Sequence, residues 1–312
     1  MPNRRDVFIC ETGPRDGLQI LDTFVPTEVK CRLIDAIVEA GLPEVEVGSF
    51  VPAKVVPQFA DIDAIVAHAQ RHRGRTIVSA LTPNLKGAEN ALKAGVDVVN
   101  FVISASEAHN QANVRRTVSE QLDGFRAVRA AVDAVSADKR PHLLGAISTS
   151  FGCSIAGRVS EKEVLRVATA YAEIGADEIA LADTVGYGTP PLIKAIVSAV
   201  RREIGNRIPL RLHLHDTLGL GLANAAAGLE VGIRRFDAAV SGLGGCPFAP
   251  GARGNIVTED LIFMLEEMGL KTGIDLEKLM ATRAILVPHV AAHYLTGHLH
   301  EAGIPKALRK SA

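Results

Sequence analysis

The feature that most constrains this chain is a regular alternation of short, β-branched apolar runs with longer stretches of helical period. Candidate strands are Val7–Glu11, Glu44–Ser49, Thr76–Leu81, Val96–Ser104, His142–Thr149, Glu178–Asp183, Leu210–His215 and Phe236–Ser241. Between and after them lie amphipathic stretches at Thr27–Ala40, Ile62–Arg71, Ala88–Ala94, Thr117–Val135, Glu161–Ile174, Pro191–Ile204, Ala223–Val231 and Thr258–Met268. Several close on the glycine expected just past a helix C-terminus, as in Ala40-Gly41, Ala94-Gly95 and Ile174-Gly175. Periodicity alone does not separate a doubly wound sheet from a barrel. The count of eight strand-then-helix units does, and it predicts an α/β fold: a single (β/α)8 TIM barrel over residues 1–273. Residues 274–312 form a C-terminal helical extension packed on the barrel, in which Ile274–Leu286 and Val290–His298 read as helices able to cap it or to build an oligomer contact. No Pro/Gly/Ser-rich linker divides the chain.

Composition narrows the function classes. Of 312 residues, 47% are hydrophobic and 22% charged, which excludes a disordered or collagen-like chain. The formal charge of −1 offers no global field for nucleic acid, although a local basic pocket for a phosphorylated ligand stays open. Zero Trp and three Tyr leave few platforms for stacked bases. Four cysteines without Cys-x-x-Cys spacing fit a reduced compartment. The strand-like Val7–Cys10 leaves no room for a signal peptide, no apolar run approaches a membrane span, and the tail Arg309-Lys310-Ser311-Ala312 is no peroxisomal address. The expectation is a cytoplasmic protein without nucleic-acid or membrane partners, assembled as a homo-oligomer, dimer or higher.

Barrel enzymes carry their chemistry at the C-terminal strand ends and the loops that follow. In Leu212-His213-Leu214-His215, alternate side chains share a face, so His213 and His215 project together while the leucines face the opposite layer. They are half of a metal site or two polar strand-end histidines. After the first strand, Arg15 and Asp16 sit among turn-forming residues, offering a guanidinium and a carboxylate at the mouth, or a surface pair. Glu46 falls on an inward position of the second strand, where a carboxylate needs a partner, and Arg15 is the natural one. The last loop, Ser241 to Asn255, has five glycines and two prolines around Cys246. That is the make-up of a shaped flap that closes over a substrate and brings one reactive group with it, although a lone cysteine is often a small buried hydrophobe. For Asn255, at the start of the last barrel helix, an N-cap is the default explanation.

Read together, these stretches resemble hydroxymethylglutaryl-CoA lyase. The carriers are Gly13-Pro14-Arg15-Asp16-Gly17-Leu18-Gln19, Glu46 with Ser49-Phe50-Val51 and Val56-Pro57-Gln58, and Leu81 to Gly87 (Leu-Thr-Pro-Asn-Leu-Lys-Gly). Asp183 to Pro190, His213-Leu214-His215-Asp216-Thr217 and Gly242-Leu243-Gly244-Gly245-Cys246-Pro247 with Gly254-Asn255 complete the set, in order from about Val7 to Gly273. The resemblance implies a divalent Mg²⁺ or Mn²⁺ held by Asp16, His213, His215 and Asn255, a donor set suited to hard or borderline cations. It implies Arg15, Glu46, Asp16 and Cys246 as the catalytic set, with Cys246 as acid/base and not a ligand. The substrate would be a CoA thioester, 3-hydroxy-3-methylglutaryl-CoA, cleaved to acetyl-CoA and acetoacetate as in leucine degradation.

The sequence also departs from that pattern. Val55 stands where family members usually carry Trp, His109-Asn110 lies in an altered strand-four segment, position 248 is Phe instead of Tyr, and Arg253 replaces a small residue. These changes fall where the acyl group and CoA are expected, so reaction class is more firmly implied than substrate. A citramalyl-CoA or longer branched 3-hydroxyacyl-CoA lyase is the rival. A condensing synthase would lack the Gly-Gly-Cys-Pro flap, and a non-catalytic binding barrel would be expected to have lost a ligand.

Overall fold

Eight parallel strands close on themselves in chain order: β1 (Phe8–Glu11), β2 (Glu44–Ser49), β3 (Ile77–Thr82), β4 (Val98–Ser104), β5 (His142–Ser148), β6 (Glu178–Asp183), β7 (Leu210–Leu214) and β8 (Arg235–Ala238), with β8 pairing back to β1. The protein is a (β/α)8 barrel, as the count of units predicts. This computed structural model describes residues 5–245 and 254–305. Around the strands run α1 (Thr27–Glu39), α2 (Ile62–Ala69), α3 (Leu85–Ala94), α4 (Glu107–Val114), α5 (Val118–Asp133), α6 (Glu161–Ile174), α7 (Pro190–Ile204), α8 (Gly221–Glu230) and α9 (Thr258–Glu267). Three short helices follow: α10 (Leu276–Ala281), α11 (Arg283–Leu286) and α12 (His298–Ala302).

Local rules account for most boundaries. Ser160 and Glu163 form a reciprocal capping box on α6, and Thr117 with Glu120 does the same on α5. Helix α6 stops where Gly175 takes φ 101°, a left-handed geometry that glycine adopts without a Cβ penalty. In β7 the alternation divides two environments. Leu212 and Leu214 are buried in the apolar layer between strands and helices, while Arg211 and His213 are buried among polar groups inside the barrel. A small apolar cluster of Val98, Leu144 and Ala180 also forms from β4, β5 and β6.

The differences from the sequence reading have local causes. Helix α3 begins at Leu85, three residues early, because Asn84 caps it by accepting from Gly87 N at 3.0 Å. The stretch after β4 makes an additional helix, α4, which ends where Arg115 turns to φ 56°. Strand β8 stops at Ala238, and Val240–Gly242 form a tight turn with Ser241 at φ 54°. The expected helix over Val290–His298 does not form. Its backbone is committed elsewhere: Thr296 donates from N (2.8 Å) and Oγ1 (3.3 Å) to Ser241 O, and Asp260 holds the N–H groups of His298 and Leu299. Through these bonds and the burial of Leu279, Leu286, Val290 and Leu295, the segment after Gly273 packs on the barrel and ties down the turn after β8.

Candidate active site

Polar layers fill the barrel interior and lead up to the mouth. Arg211 of β7 is fully buried and donates to Glu44 (2.7 Å), Glu178 (2.7 Å) and Asp237 (3.0 Å), so three carboxylates from β2, β6 and β8 surround one guanidinium. A buried charge persists only when compensated in this way. Asp237 is also the link to the next layer: its Oδ2 lies 3.1 Å from His213 Nδ1. Burial works to raise the Asp237 carboxyl, but the nearby Arg211 and the bond to His213 outweigh it and hold it below the usual range. Asp237 thus stays an anionic acceptor that fixes the His213 ring and turns Nε2 toward the mouth.

There His213 Nε2 faces His215 Nε2 at 3.2 Å, and Asp16 Oδ2 stands 3.9 and 3.4 Å from them. Ligand atoms of Asp16, His213 and His215 all lie within 4.8 Å of one another. Asp16 occupies a single wide helical turn, Gly13–Gly17, directly after β1. Asn255 joins them because β7 continues into a short pairing with residues 254–256: Asp216 N donates to Gly254 O and Ile256 N to Leu214 O. That pairing sets Asn255 opposite His215. Its Nδ2 donates to Asp16 Oδ2 (2.7 Å) and Leu243 O (3.1 Å), while the buried Oδ1 has no partner among the described residues. The default N-cap explanation for Asn255 is therefore overturned. Helix α9 starts three residues later, with Val257 at its cap position and no side-chain cap.

Beside this cluster, Arg15 donates from Nε to Glu46 Oε2 at 2.6 Å and from Nη1 to Asp16 Oδ1. Asn100 of β4 completes Glu46 by donating to Oε1 at 2.8 Å. Burial raises the Glu46 carboxyl above its ordinary value, with Asp237 adding repulsion, against the attraction of Arg15. Burial also acts to raise Asp16, but the Arg15 charge, the bond to His215 and the His213 charge win and hold it well below the carboxylate range. Asp16 is therefore an anion at neutral pH.

The residues present suit a divalent cation. Two imidazoles whose Nε2 atoms face each other at 3.2 Å repel as free lone pairs unless a proton or a cation stands between them. Two nitrogens, an ionised carboxylate and an unpartnered amide oxygen form a mixed N/O donor set open to borderline and hard ions.

Six of the residues singled out from sequence, Arg15, Asp16, Glu46, His213, His215 and Asn255, therefore meet at the mouth. Cys246, with Phe248 and Arg253, lies outside the described residues. The described residues just before them hold a constrained turn: Gly244 has φ 130°, and a Cβ there would sit 2.5 Å from Asn255 Nδ2. Val55 is a surface residue, 64% exposed, and His109 is buried with Nδ1 2.8 Å from Ser104 Oγ. Sequence reasoning missed Asp237, Arg211 and Asn100. Arg211 carried a signal, being in phase with His213 and His215 on one strand face.

A family model described as HMGL-like matches residues 6–286. The chain belongs to the HMGL-like family. Within it, this HMGL-like chain is 43% identical over 276 residues to the mitochondrial hydroxymethylglutaryl-CoA lyase of Mus musculus, covering 88% of this chain and 83% of that one. It is 39% identical to a hydroxymethylglutaryl-CoA lyase of Bacillus subtilis (strain 168), covering 90% and 92%. Among solved structures, an HMG-CoA lyase of Acinetobacter baumannii in complex with coenzyme A and 3-methylmalate superposes with a TM-score of 0.89 at 41% identity over 98% of both chains.

Proposed function

We propose that this HMGL-like chain is a carbon–carbon lyase that cleaves 3-hydroxy-3-methylglutaryl-CoA to acetyl-CoA and acetoacetate. The observation that carries the reading is the convergence of Asp16, His213, His215 and the orphaned Asn255 Oδ1 beside the Arg15–Glu46 pair, in a chain 43% identical to a lyase of that name. The reaction breaks a C–C bond between a carbinol carbon and the carbon next to a thioester. The tertiary hydroxyl must lose its proton, the electron pair must pass into the thioester as an enolate, and the enolate carbon must then gain a proton.

The chain's own residues divide this work. Asp16, His213, His215 and Asn255 would hold a divalent Mg²⁺ or Mn²⁺, which supplies Lewis-acid polarisation of the substrate's hydroxyl and carboxylate or carbonyl oxygens. Arg15 keeps its charge at any working pH and stabilises negative charge developing on the thioester oxygen. Glu46 and Asn100 hold the guanidinium in that orientation, so it needs no reorganisation as charge moves. Asp237 sets the His213 ring. Cys246 gives its thiol proton to the enolate carbon, and the proton released from the substrate hydroxyl, passed through solvent, restores the thiol, so the step is proton-neutral.

A CoA thioester as substrate, a cytoplasmic location, a homo-oligomeric assembly and a place in leucine degradation belong to the same proposal. Among the described residues no helix is long and apolar enough to cross a membrane. The test is acetyl-CoA release from hydroxymethylglutaryl-CoA, both citramalyl-CoA enantiomers and an isohexenyl homologue, with Mg²⁺ and with excess chelator. The proposal expects chelator-sensitive cleavage of the first substrate. Activity on another thioester alone would shift the assignment to the rival lyase, and no cleavage across the panel would overturn the reading.

A further inference from the structure

On the outer flank of the barrel, where α1 meets α2, the structure gathers a second set of donors that the reaction above does not use. His68 lies in the last turn of α2, and His72, four residues on, ends the tight turn Gln70–His72. Four-residue spacing stacks two imidazoles on one helix face. Both reach across to Asp35 of α1: His68 Nε2 lies 2.7 Å and His72 Nε2 2.5 Å from the same carboxylate oxygen, Oδ1. Ligand atoms from all three residues lie within 4.8 Å of one another.

We propose that Asp35, His68 and His72 form a second divalent-cation site, selective for borderline ions of the zinc type over Mg²⁺ and Ca²⁺. Two imidazoles and one carboxylate match the three protein ligands of an open zinc site, whereas hard ions demand more oxygens than the cluster offers. The geometry needs little change. Ligands around a tetrahedral zinc with bonds of about 2.0–2.1 Å lie roughly 3.3 Å apart, so each ring retreats from Oδ1 by about 0.6–0.8 Å. The Asp35 side chain is 37% exposed, which leaves a path for the ion and room for water as fourth ligand. Cys31, a free, partly buried cysteine one helical turn before Asp35, feels the Asp35 charge but is not one of the three clustered ligands. Burial, followed by that charge, raises the thiol above its ordinary value.

One neighbour opposes binding. Arg71 Nη1 lies 3.3 Å from His68 Nδ1, and Arg71 is exposed. When Nε2 ligates an ion, Nδ1 carries the proton and cannot accept from Arg71, so the guanidinium must swing into solvent. The ion would staple α1 to α2 beside the existing Lys30–Asp61 pair (2.9 Å). It would thereby tie together the units whose strand ends carry Arg15, Asp16 and Glu46.

The test is a Co²⁺ titration of the full chain, followed by calorimetry and by the visible absorption of bound Co²⁺. Wild type should take up two equivalents, one of them at the His213–His215 cluster, while the double variant His68→Gln/His72→Gln takes up one and keeps its Mg²⁺-supported turnover. Asp35→Asn, which preserves both rings and the packing, should also take up one. Arg71→Ala should tighten the second event several-fold. One equivalent in wild type, two in either ligand variant, or no tightening in Arg71→Ala would overturn the assignment, and none of these readings depends on which thioester is cleaved.

Discussion

Asp237 joins two layers of the barrel, so replacing it should disturb both by amounts the structure sets. Its Oδ1 lies 3.0 Å from Arg211 Nη1 and its Oδ2 lies 3.1 Å from His213 Nδ1. Asp237→Asn keeps the shape and removes the charge. Breaking a buried ion pair from one side costs about 3–5 kcal/mol, and here the lower end applies because Glu44 and Glu178 still neutralise Arg211. The same change weakens the acceptor that fixes the His213 ring. Loss of such a partner lowers metal affinity about 10–100-fold, equivalent to roughly 1.4–2.7 kcal/mol. Urea unfolding of the metal-free protein should therefore show a loss of about 3 kcal/mol, and calorimetric titration with Mn²⁺ at the mouth should show affinity reduced at least tenfold. Destabilisation with unchanged Mn²⁺ affinity would refute the claim that Asp237 acts on the site through His213. No effect on either would refute the charge accounting for the interior.

Other expectations follow from single contacts. Arg15→Gln should lower turnover by about 10²–10³-fold without unfolding the chain if the guanidinium takes the proposed role toward charge that develops in the transition state; near-wild-type turnover would remove it from that role. Cys246→Ala should likewise reduce turnover by orders of magnitude while leaving Mn²⁺ affinity unchanged, and a parallel loss of affinity would make it a ligand instead. Burial, opposed by hydrogen bonds from Thr258, Val240 and Gly13, lifts Glu11 to about 8. The folded chain then keeps a proton that the unfolded chain releases near pH 4.5, so this stabilisation is complete below that pH and is lost as pH rises toward 8, at about 1.4 kcal/mol per pH unit. The unfolding free energy of wild type minus that of Glu11→Gln should fall between pH 5 and 7.5, and a rise would reverse the sign. Gly242→Ala places a Cβ 2.2 Å from Thr296 Oγ1 at φ 62° and should cost about 1–3 kcal/mol of stability; a neutral result would mean that the C-terminal segment yields freely.

What the sequence made legible was local. Each βα unit announces itself through its own alternation and its own stop signal, as at Gly175, so the eight-unit count led directly to the barrel. His213 and His215 were legible because their relationship is contained in one strand. Asp16 and Glu46 were legible because polar residues at strand ends of an apolar barrel stand out. Contacts made by closure of the barrel were not. Asp237 belongs beside His213 only because β7 pairs with β8 in a register that sets these two residues opposite each other, and no spacing in the chain encodes that. Its position before a helix makes a cap the default reading of Asn255 by itself, and only the family resemblance names it a ligand, because its pairing to β7 and the turn of its side chain to Asp16 are set by closure of the barrel. The stretch Val290–His298 had helical composition, yet its terminal backbone bonds go to Ser241, a partner 55 residues away.

The central claim is that a cation held at Asp16, His213, His215 and Asn255 is required for cleavage of hydroxymethylglutaryl-CoA. Its most direct test is to strip the protein with chelator, return Mn²⁺ in substoichiometric steps, and follow acetyl-CoA and acetoacetate together. Both products should appear in equal amounts and rise linearly to a plateau at one Mn²⁺ per chain, with Asp16→Asn needing far more metal to reach any activity. Full turnover in the stripped protein, or an unaltered Mn²⁺ requirement in Asp16→Asn, would contradict it.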